Sequence, residues 1–256
     1  VIAIAGMGGV GGITAERLTR VGIGHIKIAD PETFTESDLN RQFGATTKIV
    51  GKKKVKVIGQ ILREINPELQ LSVFSDGINA KNIDEFLDGT DLVIDAIEYY
   101  VFKERMLLYP AARKRKIFVI LSGAPGFGAP LFVFSPTGMT MEEFFEVPAD
   151  EEEIENFQIP PHKICPKLPE YVPGEIIRKI VNRQMYISAV SPACSLAGSL
   201  LTTETVLILL GKREPLIVPE CIMIDLVRQE LVRMNLSKTV QERKKLYESV
   251  TYSTAT

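Results

Sequence analysis

The sequence predicts an α/β fold built on a doubly wound, mostly parallel sheet that continues into antiparallel hairpins. Three observations predict it. Short apolar runs alternate with helical patterns through residues 1–116, a glycine-rich turn joins the first such pair, and two later strand pairs are linked by turns too short for a crossover helix.

The first run, VIAIA, suits a buried strand. Gly6, Gly8, Gly9 and Gly11 then form a turn, and residues 13–18 open a helical pattern. Such a strand–turn–helix makes an anion site, because glycine lets the backbone approach a phosphate and the unpaired helix N–H groups point at it. The next strand, HIKIAD, ends in Asp30, about where such folds place an acid on the ribose hydroxyls. These features predict a Rossmann-like nucleotide-binding half over residues 1–122.

Beyond the polar loop PETFTESDLNRQFG, a helix is predicted over about 52–65, stopped by Asn66-Pro67. LQLSVFS is a strand, residues 80–88 a short helix, and DLVIDAI a fully apolar buried strand. VFKERMLLYPAARKRK is a helix with its basic residues at the favourable C-terminal end. IFVILSGAPGFGAPLFVFSP reads as a hairpin, which turns the sheet antiparallel at this edge. Residues 139–173, rich in proline, read as a long surface crossover loop with a short helix near EEFF. The acidic run Asp150–Glu153 within it reads as a solvated face. A helix over about 196–210, closed by Gly211, precedes a final hairpin of CIMIDLV and ELVRMN. The half 123–236 is expected to share one globular domain with the first, and residues 237–256 to form a charged, marginally helical tail.

Composition narrows the function classes. At 256 residues and 45% hydrophobic content the chain can bury a large core, and its net charge of −2 carries no footprint for nucleic acid or an anionic membrane. No apolar run is read as reaching the roughly 18 residues of a membrane span. The widely spaced Cys165, Cys194 and Cys221 suit a reducing compartment, and with two histidines and no C-x-x-C a zinc site is not expected. The chain is read as cytoplasmic. It opens on a core strand, so a preceding segment is expected in the natural protein.

The chemistry concentrates at the carboxyl edge of the sheet. Asp38, Asn40, Arg41 and Gln42 lie in the polar loop beside the glycine turn, and Lys54 opens the next helix. A forked guanidinium and a compact ammonium there suit the outer phosphates of a nucleotide. Asp95 and Glu98 end the strand DLVIDAI, where a carboxylate can hold Mg²⁺ against those phosphates. Asp95 reads equally as a helix N-cap, which leaves Glu98 as the first candidate.

In this order, GMGGVGG, Asp30, SDLNRQF, GKKKV with INP behind it, and LVIDAIE resemble the ThiF/MoeB/HesA superfamily, the ubiquitin-activating-enzyme-like fold. The resemblance spans roughly residues 1–235, with SGAPGFGAPLFVF and AGSLLTTETVLILLGK matching the family's hairpin and later helix. It implies adenylation of a carboxylate by ATP and Mg²⁺ with release of pyrophosphate. The acceptor is most often the C-terminal glycine of a small ubiquitin-like or sulfur-carrier protein, and small-molecule acids also occur. It also implies a homodimer. By the same resemblance Gly6, Gly8 and Gly9 approach the nucleotide, Asp30 binds ribose, and Arg41 and Lys54 bind the triphosphate. Asn40 and Gln42 shape that loop, and Glu98 stands at the magnesium-binding aspartate.

Three departures stand out: Asp38 in place of asparagine, Glu98 in place of aspartate with Tyr99 where asparagine is common, and the absence of paired C-x-x-C motifs. Cys165 lies in the region where some members carry a catalytic cysteine. Cys194, near a helix start, is a second nucleophile candidate with a lowered pKa, whereas Cys221 reads as a core residue. Two other readings remain. An NAD(P)-dependent oxidoreductase would share the glycine turn and Asp30, but does not require the Arg41/Lys54 pair. A non-catalytic scaffolding relative would accommodate the departures.

Overall fold

The structure is a computed structural model describing residues 1–256 except 168, 170, 183, 186–188 and 253–256. One eight-stranded sheet has the order β3-β2-β1-β4-β5-β6-β7-β8. Its first five strands, β1 (Ile2–Ala5), β2 (His25–Ala29), β3 (Gln70–Phe74), β4 (Leu92–Asp95) and β5 (Phe118–Ser122), are parallel. β6 (Gly128–Phe134), β7 (Glu220–Asp225) and β8 (Glu230–Asn235) continue the sheet antiparallel, as the two predicted hairpins require.

The central strand shows why it is apolar throughout. Ile4 registers with Ile28 on one side and Ile94 on the other. Successive side chains point to opposite faces, so Ile2 and Ile4 join the core under α1 (Gly9–Arg20) and α2 (Lys54–Ile65), while Ala3 and Ala5 join the core of the other face. That second core holds α3 (Ile83–Leu87) and α4 (Lys103–Lys114). The chain passes from β1 outward to β3 and returns to β4 on the far side of β1. The order therefore reverses between β1 and β4, and a crevice opens there at the strand carboxyl ends.

Two expectations are corrected in part. In the stretch 139–173 the expected short helix near EEFF forms as α5 (Met141–Phe145), but the rest is not plain loop, since it also carries α6 (Glu151–Asn156) and α7 (Pro161–Ile164). Phe144 and Phe145 of the EEFF segment are buried and stack around Phe134, with ring centroids 5.6 and 6.0 Å away. Burying these two aromatic rings gives the segment a reason to fold onto the sheet that its polar composition hides. Glu152 and Glu153 of the acidic run are exposed, and both take their backbone N–H cap from Asp150. In the tail the expected helix forms and is docked on the domain, while residues 253–256 lie outside the described residues. α10 (Val240–Tyr252) packs on α7 and on α8 (Gly174–Val181), a helix the sequence reading did not identify. Tyr247 of α10 is buried and donates to the Cys165 carbonyl at 2.9 Å.

The remaining helix, α9 (Ser191–Leu209), is long and apolar enough by length and composition to cross a membrane, contrary to the sequence reading. It packs against α1, β5 and β6, and Ala193, Ala197 and Leu201 are fully buried there.

Candidate nucleotide site

The crevice is built around the β1–α1 turn. Gly6 has φ +96°, and a Cβ on it would sit 2.2 Å from the Ala96 carbonyl oxygen of the neighbouring strand exit. A Cβ on Gly11 would sit 1.9 Å from the Gly6 carbonyl oxygen, so the first turn of α1 can lie on β1 only as glycine. Gly8 is the N-cap of α1 and offers no side-chain cap; a Cβ there would meet only the Gln42 amide, at 3.9 Å. The start of α1 therefore has no side-chain cap, which is the condition that the predicted anion cradle requires.

Asp30 is wired into this turn. Its two carboxylate oxygens accept the Met7 and Glu32 backbone N–H groups, each at 2.7 Å. Burial raises its pKa, opposed by those two N–H groups and the Lys54 charge.

Asp38 gathers the polar loop. It is buried, and one oxygen accepts from the Thr35 backbone at 2.9 Å and hydroxyl at 3.0 Å. The other accepts from the Gln42 side-chain amide. Lys54 Nζ lies 3.7 Å and Arg41 Nη2 3.8 Å from the same carboxylate. The negative charge that departs from the family pattern thus draws both candidate phosphate cations together, and its oxygens serve protein groups. Arg41 is further braced by the Ser37 carbonyl at 2.8 Å and the Asn40 side chain at 3.0 Å. Asn40 itself is exposed and donates to the Ala189 carbonyl at 3.4 Å. Gln42, whose amide lies beside Gly8, keeps one buried carbonyl oxygen, Oε1, without a partner among the described residues.

Lys54, 3% exposed, is the first residue of α2, and its ammonium donates to the Glu32 carboxylate at 2.6 Å. Glu32 is a site residue that the sequence reading missed; its signal is a second acid two positions after Asp30.

At the end of β4 the two acids separate. Asp95 is fully buried and binds Arg105 through Nε at 2.7 Å and Nη2 at 3.2 Å, the Tyr109 hydroxyl at 2.9 Å and the Ile97 N–H at 3.0 Å. These bonds occupy both oxygens, which removes Asp95 as a metal ligand and as a simple helix cap. Burial together with the Asp95 charge pushes the Tyr109 hydroxyl well above its ordinary pKa. Glu98 is exposed on the same edge. Among the described residues no group of three or more His, Cys, Asp or Glu side chains is placed to hold a metal. A divalent ion here therefore fits only with nucleotide phosphates supplying most of its ligands, the mode usual for Mg²⁺.

The cysteines do not match a nucleophile. Cys165 is buried, donates its thiol to the Lys167 carbonyl and has its pKa pushed up to about 11 by burial. Cys194 lies against the glycine turn, its Sγ 2.8 Å from where a Gly9 Cβ would stand. Burial outweighs the Arg41 charge and raises its pKa to about 11, the reverse of the expected lowering. Cys221 rises to about 12 for the same reason.

Comparison with known proteins shows the family and the fold. A model of the ThiF family matches residues 1–245. The tRNA threonylcarbamoyladenosine dehydratase of Haemophilus influenzae is 35% identical over 126 residues, 49% of this chain and 48% of that protein. The sulfur carrier protein ThiS adenylyltransferase of Escherichia coli is 27% identical over 135 residues, 53% of each. The chain thus spans about half the length of these curated relatives. Among solved structures, E. coli MccB superposes with a TM-score of 0.69 at 21% identity, over 91% of this chain and 61% of MccB.

Proposed function

The chain belongs to the ThiF family, and on that footing we propose that it uses ATP to adenylate a carboxylate, releasing pyrophosphate. The observation that carries this reading is the gathering of Arg41 and Lys54 on Asp38 beside the uncapped start of α1.

In the proposed reaction a carboxylate oxygen attacks the α-phosphorus. The bond from that phosphorus to its bridging oxygen breaks, and pyrophosphate leaves with the electron pair. No covalent enzyme intermediate is needed, so the chain's task is orientation and neutralisation of developing charge. The α1 N–H groups face the α-phosphate, Arg41 and Lys54 the departing pyrophosphate, and Asp30 the ribose. Mg²⁺, when bound, supplies further neutralisation; Glu98 is the residue of this chain that would hold it.

We take the acceptor to be the C-terminus of a small carrier protein. The E. coli relative is named for such a substrate, and Phe127, Leu226, Val227 and Leu231 leave an exposed apolar surface on the same sheet edge. A homodimer is supported by exposed Leu209 and Leu210 at the end of α9, and a cytoplasmic setting by three unpaired cysteines. The net charge of −2 disfavours an RNA acceptor.

Calorimetric titration tests the reading first: ATP with Mg²⁺ binds and NAD does not. Pyrophosphate–ATP exchange dependent on a carboxylate tests the chemistry. Tighter binding of NAD than ATP, or no exchange with any carboxylate, overturns it.

A further inference from the structure

We propose that Glu32 is an exchangeable counter-ion for Lys54, one that the outer phosphates of the nucleotide displace and that returns as pyrophosphate leaves. The inference rests on the adenylating reading above and concerns what sets the preference of this site for triphosphate over monophosphate.

The two carboxylates on Lys54 are unequal. Asp38 is buried, tied to Thr35 and Gln42, and 3.7 Å away. Glu32 makes the close contact, 2.6 Å, yet its side chain is 61% exposed while the lysine side chain is 4% exposed. A nearly buried ammonium needs a close negative partner, because desolvation without one is costly. In the structure Glu32 is that partner.

The backbone at Glu32 is fixed at both groups. Its N–H donates to Asp30 at 2.7 Å, and its carbonyl accepts from the Lys54 N–H at 3.1 Å. Displacement therefore needs only side-chain rotation into solvent, with the β2–α2 connection unmoved. The ammonium then exchanges one anion for another and keeps Asp38 behind it.

AMP lacks the groups that compete for Lys54, so it leaves the Glu32 contact in place. ATP and pyrophosphate must break it. Glu32 thus lowers the affinity for both, and its return keeps Lys54 paired between turnovers and assists pyrophosphate release.

The experiment is calorimetric titration of ATP, AMP and inorganic pyrophosphate, with Mg²⁺ present, into the wild type, Glu32→Gln and Glu32→Ala. Both variants are expected to tighten ATP and pyrophosphate roughly two- to tenfold, the range for an ion pair half in solvent, with AMP unchanged. Adding Lys54→Gln to Glu32→Gln is expected to abolish the gain. Unchanged or weaker ATP binding in both Glu32 variants overturns the inference while leaving the adenylating reading intact, as does an equal gain for AMP. Failure of the wild type to bind ATP overturns both.

Discussion

Arg105 holds Glu98 by its backbone. The guanidinium donates to the Glu98 carbonyl at 2.9 Å, to those of Ile97 and Val101 at 2.7 Å each, and to Asp95. The loop that presents the exposed Glu98 carboxylate is therefore fixed from beneath by a buried ion pair.

Removing one partner of that pair should be costly. Arg105→Met leaves Asp95 charged and unpaired in the core, an effect of about 3–5 kcal/mol. Urea denaturation is expected to show this loss, with Asp95→Leu/Arg105→Met recovering a large part of it. Equal losses in the single and double variants would contradict the account.

Glu98→Gln, on an exposed residue, should leave stability within about 0.5 kcal/mol of the wild type. Pyrophosphate–ATP exchange should nonetheless fall by orders of magnitude, because the charge proposed to hold the metal is gone. Glu98→Asp should retain exchange. A Glu98→Gln protein with normal exchange would remove this residue from the mechanism.

Arg41→Ala and Lys54→Ala should weaken ATP more than AMP, by roughly ten- to a hundredfold for a charge-assisted contact. Lys54→Ala carries a stability cost as well, since Asp38 loses a neighbouring charge. Equal weakening of AMP and ATP would place both cations away from the outer phosphates.

His162 makes stability pH-dependent on the acid side. Burial, helped by Arg243 and Lys163, lowers its pKa from 6.5 to about 4. The folded state thus resists a proton that the unfolded chain accepts, so stability present above pH 6.5 is lost as pH falls toward 4. Denaturation midpoints at pH 7 and 5 should differ for the wild type and converge in His162→Leu. An unchanged slope in that variant would assign the loss to other groups.

The sheet was legible because its strands carry complete local signals. Apolar or alternating runs flanked by turn residues mark the described strands, and GAPGF is too short to be anything but a hairpin link. Between β6 and α9 the short helix near EEFF was legible and is α5. The helices α6, α7 and α8 were not, because prolines and acids there read as loop, while Tyr247, which packs against this region, comes from far along the chain. At the site, the sequence located the cations but not what holds them. Arg105 had a readable signal: it lies on the buried stripe of α4 with Leu108, Tyr109 and Ala112, where a charge needs a buried partner. Cys194 misled because helix position argued for a low pKa, and burial dominates it.

Asp30, the expected ribose residue, is bonded to the Met7 and Glu32 N–H groups and so braces the glycine turn as well. On the proposed reading, one carboxylate thus couples two ends of the ligand. Asp30→Ala should therefore impair even inorganic tripolyphosphate, a ligand with no sugar at all, because the carboxylate proposed for the ribose also sets the shape of the turn.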